Sequence, residues 1–161
     1  MVKSSLVEEC KLFSSFSPEE KEVLSQVLED VSFEKGCLLF DEGDPADFFY
    51  FLREGRVALF RSDNFGRWNK IAVVYGGTPL GECAFLLGCT HSLKAVAERD
   101  VRALKIDRES FLRLKSEEPA LAVKLLEAVV AVLSTRLKEE DRRYAEICGF
   151  FNTTGGRQWS R

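Results

Sequence analysis

The period of apolar residues changes twice along the chain. In residues 1–30, Leu6, Val7, Leu12, Phe13, Val23, Leu24, Val27 and Leu28 recur at three- and four-residue spacings, the mark of helices that bury one face. Ser17-Pro18-Glu19-Glu20 adds a helix start: an N-cap serine, a proline at the first helical position, and two carboxylates at the positive end of the helix dipole. The spacing predicts two short helices joined at Phe16-Ser17. Residues 31–106 behave differently. Short runs rich in Phe, Val, Leu and Tyr alternate with turn residues, at Glu42-Gly43-Asp44, Arg53-Glu54-Gly55, Asn64-Phe65-Gly66 and Gly76-Gly77. Such spacing predicts short antiparallel strands in a sandwich or barrel. Phe48-Phe49-Tyr50-Phe51-Leu52 is apolar throughout and reads as a strand covered on both faces. Segments 57–60, 71–75 and 101–106 read as further strands.

From residue 107 the helical period returns. A short helix is expected over 107–116, and a longer one from Pro119 to Ile147, with Gly149 as its stop. The first half of the long helix, residues 120–133, is apolar almost all round, so it needs cover on more than one side. One cover is its own β domain. The other is expected to be a second copy of the chain, because Leu126 and Leu133 stand seven apart, as do Val130 and Leu137, which fits a coiled-coil seam. The same pattern also allows a helix wholly buried in its own domain. Residues 107–148 are thus read as C-terminal helices that dimerise. Residues 149–161 have no period and are expected to form a flexible tail, with Phe150, Phe151 and Trp159 as its large apolar groups.

Composition narrows the function. At 161 residues the chain is about one domain with flanking arms. A net charge of −3 argues against a free-standing nucleic-acid binder, which needs a basic footprint. The cysteines, Cys10, Cys37, Cys83, Cys89 and Cys148, are odd in number and none forms a C-x-x-C pair, so reduced thiols in a cytoplasmic protein are expected. No apolar run is long enough to span a membrane, and the N-terminus lacks the apolar core of a signal peptide. His91 is the lone histidine, which leaves little for acid–base chemistry. No catalytic residues and no metal ligands are assigned. The composition reads as a small soluble binding module, not an enzyme.

The segment from Gly36 to Val57, GCLLFDEGDPADFFYFLREGRV, resembles the opening of the cyclic-nucleotide-binding domain family, which includes bacterial catabolite activators and kinase regulatory subunits. The resemblance implies a mainly β fold with flanking helices: an eight-stranded β-roll of jelly-roll (double-stranded β-helix) type over 31–106, N-terminal helices over 1–30 and a long C-terminal helix. It also implies a ligand cassette. Gly81, Glu82 and Ala84 in Leu80-Gly81-Glu82-Cys83-Ala84-Phe85 match it. By that resemblance the backbone around Cys83 and Ala84 cradles a cyclic phosphate, and Glu82 takes the ribose 2′-hydroxyl. His91 stands where the family has a phosphate-binding arginine, with Ser92 in the next place. Arginine offers a fixed charge and a bidentate fork; a histidine of ordinary pKa is mostly neutral at neutral pH and offers one donor, so a loss of about tenfold or more in affinity is expected. Lys94, on the face of Ser92 by strand alternation, would restore the charge if turned inward. On the long helix, Glu140 and Asp141 stand where the catabolite activators carry a Thr-Ser pair that reaches the purine, and Ser134 and Thr135 lie nearly two turns earlier. The helix-turn-helix domain of those activators is not seen here, so DNA binding by this chain alone is not expected.

These readings converge on a stand-alone sensory or regulatory domain. It would bind a small anion of the cAMP or cGMP type between roll and long helix, need no other cofactor, and act as a homodimer or on a protein partner. The alternative is a degenerate domain that has lost its ligand and serves as a dimeric scaffold or partner-binding module. A further alternative is a haem or redox sensor, since Cys89-Thr90-His91-Ser92 is similar to the Cys-x-His-Ser of the family's carbon-monoxide-sensing haem member and both side chain types ligate iron.

Overall fold

The computed structural model describes residues 2–154. Helix α1 (Val2–Glu8), a 3₁₀ turn (Lys11–Phe13) and helix α2 (Pro18–Val27) precede the roll. The proline-led start behaves as its residues dictate. The Ser17 hydroxyl accepts from the Glu20 amide, and the Glu20 carboxylate accepts from the Ser17 amide at 2.8 Å, closing a capping box.

Eight strands follow: β1 (Glu29–Phe33), β2 (Leu38–Phe40), β3 (Phe48–Glu54), β4 (Arg56–Ser62), β5 (Trp68–Tyr75), β6 (Pro79–Leu80), β7 (Lys94–Ala97) and β8 (Val101–Asp107). They form two four-stranded antiparallel sheets, ordered β1-β8-β3-β6 and β2-β7-β4-β5. The first strand begins at Glu29, two residues before the position read from the sequence. Helix α3 (Glu82–Leu87) interrupts the roll between β6 and β7; α4 (Arg108–Glu117) and α5 (Pro119–Thr154) end the described chain. Among the described residues no helix is long and apolar enough to cross a membrane.

Strand β3 has two cores to serve. Tyr50 and Leu52 face the other sheet and pack with Leu39, Phe40, Val57, Leu59 and Leu80. Phe49 and Phe51 face the helices and pack with Phe13, Phe85, Ile106, Phe111 and Leu125. Successive strand residues point to opposite faces, so a continuous apolar run is what a doubly covered strand requires. At its end, Arg53 is buried and its guanidinium pairs with Asp30, at 3.1 Å, and with Glu9, tying the N-terminal helices to the sheet.

The long helix corrects one expectation. It does not stop at Gly149 but runs to Thr154, where the Thr153 hydroxyl donates back to the carbonyls of Gly149 and Phe150 at 3.1 and 2.9 Å. A helix-interior glycine costs only about 1 kcal/mol relative to alanine, which does not break a helix of this length. The part of the expected tail beyond Thr154, Trp159 included, lies outside the described residues.

The start of α4 gives a stability test. The Asp107 carboxylate caps the helix by accepting from the Ser110 amide at 2.7 Å, which holds its pKa below the ordinary aspartate value. Asp107→Ala is expected to cost about 1 kcal/mol and lower Tm by about 3 °C. Because the folded pKa is depressed, this contribution is present above the unfolded pKa and lost as pH falls through the folded one. The Tm gap between wild type and variant therefore narrows below about pH 4. A thermal melt series in pH checks both; an unchanged gap at acid pH refutes the cap.

Candidate functional site

Strand β6 runs into Gly81, whose φ of 82° is open to glycine and costly for other residues. Space demands glycine here too. A Cβ at this position would stand 3.1 Å from Cε1 of His91 and 3.3 Å from Cε1 of Phe40. The chain then turns directly into α3, so the amides of Glu82, Cys83 and Ala84 begin a helix and have no partner within it. The helix ends on Gly88, and the Cys89 amide folds back to donate to the Ala84 carbonyl at 3.0 Å.

His91 is held by the turn at residues 41–44. Its amide donates to the Asp44 carbonyl at 2.9 Å, and its own carbonyl accepts from the Gly43 amide at 2.8 Å. The imidazole lies flat on the Phe40 ring, with centroids 3.9 Å apart and planes 12° apart. The residue is 4% exposed, and its Nε2 is buried with no hydrogen-bond partner. Burial pushes its pKa below the usual histidine value, and the nearby Asp44 charge only partly opposes this. His91 is therefore mostly neutral at neutral pH.

Glu82 is 2% exposed. Its Oε1 lies 3.6 Å from Nη1 of Arg136 on α5 and accepts from the Cys83 thiol, also at 3.6 Å. Arg136 also donates from Nη2 to the Pro79 carbonyl at 2.7 Å. The Cys83 thiol is pushed up first by burial and then by the Glu82 charge, so it stays protonated. Together Gly81, Glu82, Cys83, Ala84, His91 and Ser92 line one cavity of about 90 Å³, with Arg136 lining it from α5.

The sequence reading missed Arg136. The signal was present: after Glu127 it is the first charged residue on the long helix, at the end of the apolar half that packs on the roll. Lys94 does not turn into the cavity. Its ammonium sits 3.5 Å from the centre of the Trp68 ring and 3.7 Å from Asp41. Of the four residues assigned to the dimer helix, Val130 and Leu137 are exposed, whereas Leu126 and Leu133 pack partly against the chain's own core. Beside the half-buried Leu126 and Leu133, an exposed apolar row runs through Val123, Val130, Leu137, Tyr144 and Phe151.

The residues do not fit a haem. His91 is pinned face-on against Phe40 in a small cavity, while Cys89 is exposed. Among the described residues, no three His, Cys, Asp or Glu side chains are grouped to hold a metal ion.

Comparison with known proteins places this geometry. Residues 30–118 match the cyclic nucleotide-binding domain family. The chain is 31% identical over 130 residues to the cyclic AMP receptor protein of Thermus thermophilus, covering 81% of this chain and 58% of that protein. It is 31% identical over 110 residues to the cAMP-dependent protein kinase regulatory subunit of Aspergillus niger, covering 68% of this chain and 26% of that one. The chain thus spans well under two thirds of the length of these curated relatives. The crystal structure of a cyclic nucleotide-binding domain from Methylobacillus flagellatus superimposes with a TM-score of 0.76 at 27% identity, covering 86% of this chain and 78% of that one.

Proposed function

The chain belongs to the cyclic nucleotide-binding domain family, and on that premise we propose that it is a regulatory module taking a cAMP- or cGMP-type ligand between roll and long helix. One observation carries this reading: six residues of the cassette, with Arg136 from the long helix, line a single cavity that contains an unpartnered buried side-chain nitrogen. The open amides of α3 suit the cyclic phosphate, Glu82 suits the ribose 2′-hydroxyl, and Arg136 offers a full positive charge. A cavity of about 90 Å³ is well below the ~300 Å³ of a typical small-molecule site. A ligand of this class must therefore push α5 outward, parting Arg136 from Pro79 and Glu82. That movement is the signal. It would pass to a second copy through the exposed face of α5, or to a protein partner. The free cysteines fit a reducing, cytoplasmic setting.

The small cavity, and the acidic Glu140 and Asp141 on α5, also favour a second reading: a domain without nucleotide, kept as a dimeric scaffold. Calorimetric titration separates the two. Micromolar binding of cAMP or cGMP, with a thermal upshift, is expected. The absence of heat and of any upshift at about millimolar nucleotide, roughly 4 kcal/mol of affinity or less, defeats sensing in favour of the scaffold.

A further inference from the structure

Among the described residues, the cavity holds one buried side-chain polar atom without a partner. Nε2 of His91 is buried and unpartnered, on the ring edge that lies against Gly81 at the start of α3. Buried polar atoms without partners are rare in native folds and mark a place where something else completes the bonding. The ring is rigidly aimed: Phe40 holds its face, and the Asp44 carbonyl and Gly43 amide hold its backbone. We propose that anion binding in this cavity is coupled to proton uptake by His91, so that the site reads an anionic ligand and pH together. This rests on the nucleotide reading above and concerns how that site is regulated.

The charges around the ring support the coupling. Asp44, on the turn beside it, favours the imidazolium. Glu82 and Cys83 line the cavity from α3 and Arg136 from α5. Glu82 and Arg136 face each other, so their charges largely offset, and the thiol is neutral. Lys94 is engaged with Asp41 and Trp68 instead. In the free protein burial therefore dominates, and the ring is neutral at neutral pH. A phosphodiester anion beside Nε2 adds a negative charge next to the ring and raises its pKa. The complex then holds more protons than the free protein wherever the pH lies between the two pKa values. Affinity accordingly rises as pH falls through the pKa of the complex and levels off below that of the free protein. A fixed arginine at this position gives no such dependence.

The test uses cAMP, whose phosphodiester keeps one charge throughout the working range. Its Kd for the whole chain is measured near pH 6 and pH 8, each in two buffers of different ionisation enthalpy. The expected result is binding about fivefold tighter near pH 6, with a buffer-dependent heat showing up to about one proton taken up. His91→Gln, close in size and not titrating, is expected to lose both effects. His91→Arg is expected to lose them and bind about tenfold tighter. Equal Kd at both pH values with buffer-independent heat, or a pH effect that persists in His91→Gln, overturns the coupling and leaves nucleotide binding standing. No heat at either pH from wild type or either variant overturns the nucleotide reading, and the coupling with it.

Discussion

Glutamate at Leu137 is expected to turn a dimer of this chain into a monomer. Val123, Val130, Leu137, Tyr144 and Phe151 stand seven residues apart along α5, and each is more than half exposed. Five large apolar groups in one heptad row form a stripe too long for a solvated helix face, and a second copy of the same helix is the partner that matches its period. Burying Leu137 in such a seam contributes about 1.5–3 kcal/mol per copy. Glutamate removes that contribution twice and sets two like charges against each other, so the dimer Kd should rise by about 10³-fold or more. Sedimentation equilibrium measures this. Lys138→Glu, one residue off the row, is the control and should leave the dimer intact. Glu140 lies among the row's apolar neighbours with Arg143 at 3.2 Å, so its charge is partly neutralised on its own helix. A wild-type chain that stays monomeric at about 100 µM, weaker than the roughly 5 kcal/mol such a Kd represents, would remove this interface.

What the sequence made legible, and what it hid, follows from the range of the interactions involved. Strand β3 was readable because its cover on both faces demands an unbroken apolar run, and the start of α2 because its capping box lies within four residues. Strand β6 was not, because two residues have no period. Its Pro79 suits the edge position it holds in its sheet, but that position is set by pairing with Phe51 and Leu80 with Tyr50, far away in sequence. Gly149 misled because a local breaker was weighed without the long helix that outvotes it. The site divides in the same way. Family resemblance reached Gly81 to Ala84 and marked His91 as a departure. It did not reach the burial of the imidazole, which depends on Phe40 fifty-one residues earlier, or the Arg136 contacts, which span more than fifty.

Arg136→Ala is the substitution expected to weaken nucleotide binding most. With His91 neutral in the free protein and Lys94 turned away, Arg136 is, among the described residues, the one full positive charge lining the cavity before a ligand arrives. Removing one member of a close charge pair commonly costs about 2–5 kcal/mol, so cAMP affinity should fall about 100-fold. Folding should also weaken, by about 1–3 kcal/mol, because the substitution removes the 2.7 Å bond to the Pro79 carbonyl and leaves the buried Glu82 carboxylate without its cation. Arg136→Lys keeps the charge but not the fork, and should recover part of the loss. Calorimetric Kd values with parallel melts decide the matter. Affinity unchanged in Arg136→Ala would mean that the phosphate is held by the α3 amides alone. Tighter binding would mean that Arg136 competes with the ligand for Glu82 and acts as a latch between roll and long helix. Only a large loss is compatible with an arginine that supplies, from another element, the fixed charge that His91 gains only by taking up a proton.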